Sequence, residues 1–122
     1  MIVIESINHI SLTVSDLDKS VEFYKDMFDF EVIEKYSTEN QVFMRMGDML
    51  ISLNRLEGFR STESSKPIIS FYIDEEDFED AVDELNEMGI DIVSGPENIR
   101  NGKTIVFVDP DDNKIELCYP KL

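Results

Sequence analysis

A single cysteine, Cys118, leaves this 122-residue chain without any possible intramolecular disulfide. That usage suits a reducing, cytoplasmic setting. Basic side chains are scarce: 11 Lys and Arg stand against 27 Asp and Glu, a formal net charge of −16. So acidic a surface repels phosphate backbones, which argues against DNA or RNA as a partner. It favours solubility first and a cationic ligand second. No run approaches the roughly 18 apolar residues of a membrane span. The opening MIVIESINHI has neither a basic stretch nor a small-residue cleavage site, so no signal peptide is expected. Histidine occurs once, at His9.

What is present describes a globular chain. Hydrophobic residues make up 42% and charged residues 31%, enough apolar surface for one domain with one good core. Ile7 to Val14 alternates, with Ile7, His9, Ser11 and Thr13 on one face and Ile10, Leu12 and Val14 on the other. Ser15 or Asp16 then caps a helix running to about Phe28, whose Leu17, Val21, Tyr24 and Phe28 recur at helical spacing. Phe30 to Tyr36, Gln41 to Met46 and Met49 to Asn54 read as strands, the last two joined by a Gly47-Asp48 turn. A polar linker, 55–66, follows.

The pattern then repeats. Ile68 to Ile73 is an apolar strand, and Glu76 to Met88 a helix with Phe78, Val82, Leu85 and Met88 on one face, closed by Gly89. The acidic run Asp74 to Asp80 suits that helix's positive end and is given no catalytic role. Ile90 to Val93, Lys103 to Val108 and Lys114 to Tyr119 complete the second set, with turns at Asn101-Gly102 and Asp109 to Asn113. Aligning the halves places His9 opposite Ile68, Ser11 opposite Ser70, Val14 opposite Ile73 and Ser52 opposite Glu116. Two matches in the same order point to duplication. The expected fold is α+β, two tandem βαβββ modules at about 5–55 and 67–119 forming a cupped mixed sheet.

A paired βαβββ module with NHISLTVSDLDKSVEFYKDMFDFEV at its front and FVDPDDNKIEL at its end resembles the vicinal oxygen chelate superfamily. That superfamily includes glyoxalase I, bleomycin-resistance proteins, fosfomycin-resistance enzymes, methylmalonyl-CoA epimerases and extradiol dioxygenases. The resemblance covers about residues 5 to 119, and its two motifs are specific for the fold rather than for an activity. It implies a ligand site between facing modules, a homodimer, and metal ligands on the first and last strands of each module. Carried over, those positions are His9, Ser52, Ile68 and Glu116. His9 and Glu116 match ligand types; Ser52 is a poor ligand and Ile68 is none. A divalent ion there (Zn, Mn, Fe, Co or Ni) would be weakly bound.

Strand parity adds neighbours on the cup face: Ser70 and Tyr72 beside Ile68, and Lys114 and Cys118 beside Glu116, with Tyr119 turned away. Asn54 and Glu57 are further supplementary donors. A carboxylate facing an apolar cup needs a partner. Without a metal, that partner would be His9 or Arg45. Met44, Met46 and Met49 read as core or pocket lining.

Two function classes follow. One is a metal-dependent lyase, isomerase or transferase in which Glu116 ligates the metal or acts as general base and His9 is the second ligand. The other is a small-molecule-binding protein with a degenerate metal site, sequestering a cationic or aromatic ligand. Charge and the missing ligands favour the binder. The acidic balance offers no evident basic cluster for glutathione, although Arg45, Arg55, Arg60 and Arg100 are available.

Overall fold

A computed structural model describes residues 1–60 and 68–119 of the chain. It divides into two units, Met1–Arg60 and Ser61–Leu122. Half of the expected linker, residues 61–66, and Pro67 after it lie outside the described residues.

The first unit runs β1 (Ile10–Val14), α1 (Leu17–Phe28), β2 (Glu31–Val32), a 3-10 turn (Glu34–Tyr36), β3 (Gln41–Met46) and β4 (Met49–Arg55). Its sheet order is β1-β4-β3-β2. β1 lies parallel to β4 and the other pairs are antiparallel. The second unit runs β5 (Ile69–Tyr72), α2 (Glu75–Glu87), β6 (Ile92–Ile99), β7 (Gly102–Val108) and β8 (Lys114–Cys118). Its order, β5-β8-β7-β6, is the same pattern, again with one parallel pair, β5 and β8. The α+β fold of two mixed four-stranded sheets, each with one helix, is therefore as expected.

Alternation explains which face each sheet buries. In the first unit Val14, Met44, Ile51 and Leu53 are buried with Leu17 and Tyr24 of α1 and with Phe30. In the second, Ile105, Phe107 and Ile115 are buried with Phe78 and Leu85 of α2. Each such side chain contributes about 1.5–3 kcal/mol by leaving water. Tyr119 packs edge-on against Phe78 at 5.3 Å, on the helix side, as its parity required.

Helix ends follow from local chemistry. Asp16, not Ser15, is the N-cap of α1, its Oδ1 accepting the Lys19 N–H at 3.1 Å. Asp29 ends that helix in the left-handed region, its N–H returning to the Lys25 carbonyl at 2.9 Å. For α2 the capping residue Asp74 makes no side-chain cap bond, and Met88 and Gly89 close the C-terminus.

Several boundaries differ from expectation. The first strand begins at Ile10, so Ile7 and His9 precede it. Phe30 to Tyr36 yields only a two-residue strand, because the Ser37 hydroxyl and the Tyr36 N–H both turn onto the Ile33 carbonyl. The β6–β7 hairpin turns at Arg100 and Asn101, both at positive φ, one residue earlier than the Asn-Gly pair suggested. β6 extends to Ile99 through Gly95-Pro96, which reads as a breaker in sequence. It survives because β6 is an edge strand whose register shifts at that point, where a missing N–H is tolerated.

Among the described residues, one buried side-chain group is unsatisfied. Ser20 is fully buried on α1 and its hydroxyl has no partner among the described residues. Ser20→Ala removes that penalty and raises helix propensity, so a gain of roughly 0.5–1.5 kcal/mol is expected. Urea unfolding measures it; a loss of stability would show that the hydroxyl is in fact satisfied.

Candidate functional site

The chemistry-bearing residues lie on the sheet faces turned away from the helices. Register places Ser52 between Ser11 and Phe43, and Asn54 between Thr13 and Gln41, on that face of the first sheet. They form a neutral net. The Ser11 and Ser52 hydroxyls are 2.8 Å apart. The Asn54 amide donates to the Ser52 hydroxyl at 3.2 Å and accepts from the Gln41 amide at 2.7 Å. Ser52 is fully buried, so its part here is that of a hydrogen-bonding residue.

His9 stands one residue before β1, exposed, with its ring edge-on to Phe43 at 5.5 Å. Its Nδ1 lies 2.8 Å from the Asn8 side-chain oxygen. If Nδ1 carries the proton, Nε2 is left as the lone-pair nitrogen, the tautomer a metal ligand needs.

The second sheet carries the charged version of the same net. Ser70 pairs with Glu116 and Tyr72 with Cys118 on β5 and β8, while Val106 and Thr104 of β7 flank them. The Ser70 hydroxyl donates to Glu116 Oε1 at 2.7 Å and the Thr104 hydroxyl to Oε2. Cys118 Sγ lies 3.2 Å from the Ser70 oxygen. Ser70 has one proton and the carboxylate can only accept, so the thiol is the donor to Ser70.

Parity correctly puts Ser70, Glu116 and Cys118 on one face. Glu116 does need a partner, but within its module the partners are two hydroxyls, not the His9 or Arg45 expected. Arg45 is exposed and bridges Glu31 at 3.6 Å, a contact of small energetic weight. Ile68 is 46% exposed and Tyr72 is 71% exposed, so neither is enclosed within its own unit. Met44 is core, whereas Met46 is exposed. Thr104 and Gln41 escape the sequence reading, although extending the repeat alignment through the third strand of each module would have paired them.

Cys118 is buried and hydrogen-bonded. Its reaction with a bulky aromatic disulfide is expected to run at least about tenfold slower in the native protein than in urea. Equal rates would show the thiol to be accessible.

Each unit carries one side chain of a kind that divalent cations accept, a number short of a metal centre. His9 offers an imidazole and Glu116 a carboxylate already oriented by hydroxyls. Among the described residues no group of three or more His, Cys, Asp or Glu is arranged to hold a metal ion. Water or substrate oxygen would have to complete the coordination. No helix among the described residues is long and apolar enough to cross a membrane.

Comparison with known proteins agrees with the fold. The family model for the glyoxalase/bleomycin resistance protein/dioxygenase superfamily matches residues 6–117. A metallothiol transferase FosB of Staphylococcus epidermidis is 38% identical over 117 residues, covering 93% of this chain and 81% of the relative. A glutathione transferase FosA of Serratia marcescens is 32% identical, covering 93% and 80%. The fosfomycin resistance protein FosX of Listeria monocytogenes, in complex with Mn(II) and sulfate, superposes with a TM-score of 0.82 at 26% identity, covering 98% of this chain and 94% of that one. The chain therefore belongs to the glyoxalase/bleomycin resistance protein/dioxygenase superfamily.

Proposed function

We propose that this protein is a divalent-metal-dependent transferase that joins a thiol to a small, oxygen-bearing electrophile, with His9 and Glu116 as the protein's metal ligands. The observation that carries the reading is the geometry of Glu116, a half-buried carboxylate with each oxygen fixed by a hydroxyl. The curated relatives are named as transferases, which favours transfer over the lyase and isomerase chemistry that residue types alone leave open.

A bound cation would supply Lewis acidity toward a substrate oxygen. The chain's own groups do the rest. The neutral net of Ser11, Asn54 and Gln41, braced by the buried Ser52, offers hydrogen bonds without charge, and Phe43 gives a flat apolar wall beside His9. In the transfer itself, sulfur bonds to carbon as that carbon's bond to oxygen breaks, and the thiol proton ends on the freed oxygen. We take the working unit to be a homodimer, which sedimentation would test.

Ile68 favours a second reading. It puts an apolar side chain where a ligand would stand, and with the charge of −16 it supports a metal-free binder of a cationic or aromatic molecule. One experiment separates the two. Protein incubated with Zn, Mn, Fe, Co or Ni and desalted is analysed for metal, then assayed for loss of fosfomycin with glutathione or L-cysteine as thiol. About one metal per His9/Glu116 pair and metal-dependent turnover are expected. No retained metal and no turnover would overturn the transferase and leave the binder.

A further inference from the structure

We propose that the second unit carries a further binding site, a basic cleft at its β6–β7 hairpin that takes the oxyanion of a small molecule, a carboxylate or a phosphate monoester. The cleft lies on the helix side of the sheet. It is independent of Glu116 and of any bound cation.

Register sets the floor of the site. Asn98 of β6 pairs with Lys103 of β7, and the Lys103 carbonyl accepts the N–H of Tyr119, just past the end of β8, at 3.2 Å. These three residues form one row across neighbouring strands. Thr104 and Cys118, the next pair along, belong to the opposite face, the one that carries Glu116. The Tyr119 ring on Phe78 of α2 marks the row as helix-side. With Glu75 at the start of α2 and with Arg100 and Asn101 in the hairpin turn, the row lines a cleft of about 480 Å³. That volume suits a small molecule.

Three observations give the cleft its sign. First, Lys103 is half-buried, yet among the described residues neither it nor Arg100 forms an ion pair, in a chain with 27 Asp and Glu. Second, Tyr119 is only 9% exposed, and its hydroxyl bonds to no described residue. Buried polar groups ordinarily find partners. The hydroxyl is not sealed from solvent, so it emerges at the cleft that Tyr119 lines. Third, Arg100 holds φ +43°, a region that side chains other than Asn and Gly seldom adopt. A guanidinium stands there at a conformational cost. Glu75, exposed, is the one carboxylate of the lining, so two cations outweigh it. The planar fork of Arg100, the Lys103 ammonium and the Tyr119 hydroxyl together make a donor set for an oxyanion. No internal ion pair has to break for it to bind.

The test is isothermal titration calorimetry of the full chain at low ionic strength, with inorganic phosphate, phenyl phosphate and benzoate as probes. Parent, Arg100→Gly, Lys103→Met, Tyr119→Phe and Arg45→Ala proteins are compared, with urea unfolding as a folding check. At least one probe is expected to bind the parent with a Kd below about 1 mM. Binding of the phosphates alone assigns a phosphate monoester, and binding of benzoate a carboxylate; either supports the site. Arg100→Gly and Lys103→Met should each weaken binding at least about tenfold, and Tyr119→Phe at least about threefold. Arg100→Gly should keep or raise the urea midpoint, because glycine accepts the positive φ, so its lost binding cannot be lost folding. Arg45→Ala removes the same charge elsewhere and should bind like the parent. No binding of any probe up to about 10 mM would overturn the proposal. So would parent-like binding in both Arg100→Gly and Lys103→Met, or an equal loss in Arg45→Ala, which would make the attraction diffuse rather than a property of the cleft.

Discussion

Gly95→Ala is expected to cost roughly 2–4 kcal/mol, read as a lower urea midpoint with little change in slope. Gly95 sits at φ +87°, and a Cβ there would lie 2.5 Å from the Thr104 carbonyl oxygen, 3.1 Å from Ile105 Cα and 3.3 Å from the Glu97 amide nitrogen. All three are backbone atoms, so no side chain can swing aside. β6 must lift from β7, and Thr104 would move with the strand that anchors it. Gly47→Ala is the control. It has positive φ, +57°, but nothing within 4 Å of the added carbon, so only the conformational term of about 1 kcal/mol remains. Equal costs for the two variants would mean that close approach at Gly95 is not what matters.

Glu116→Gln carries the second large effect. If Glu116 ligates a cation, its amide should weaken metal retention at least about 100-fold, because a two-ligand centre has little left to hold the ion. Metal-free stability should barely change. Glutamine can still accept from Ser70 and can donate to the Thr104 oxygen, which recreates the neutral net that Ser52 and Asn54 already build in the first module. Elemental analysis after desalting reads the first outcome and urea unfolding the second. Full metal retention in Glu116→Gln would remove Glu116 from the ligand set. A large loss of metal-free stability would instead make the carboxylate a structural element.

Much of this molecule is legible in its sequence. Alternation has a period of two, so parity placed Ser70, Glu116 and Cys118 on one face and turned Tyr119 toward the helix. Both helices were placed to within about a residue at each end, because apolar spacing and capping residues act locally. Aligning the halves paired Ser11 with Ser70 and Ser52 with Glu116, and the registers of β1 with β4 and β5 with β8 reproduce both pairings. The superfamily followed from the same repeat. His9 and Glu116 were singled out by residue type at motif positions, a matter of chemistry that needs no geometry.

The sequence by itself therefore determined the modules, the faces and the identity of the charged candidates. Only the tertiary structure decided who touches whom. Glu116 has two hydroxyl partners because β7 and β5 flank β8, and strand order is a long-range outcome that no local pattern carries. Arg45 turns to Glu31 because β2 pairs beside β3. The short β2 and the long, bulged β6 were likewise decided by what their neighbours could bond. Edge strands have only one partner, so a serine hydroxyl or a glycine-proline step shifts their limits more than propensity does.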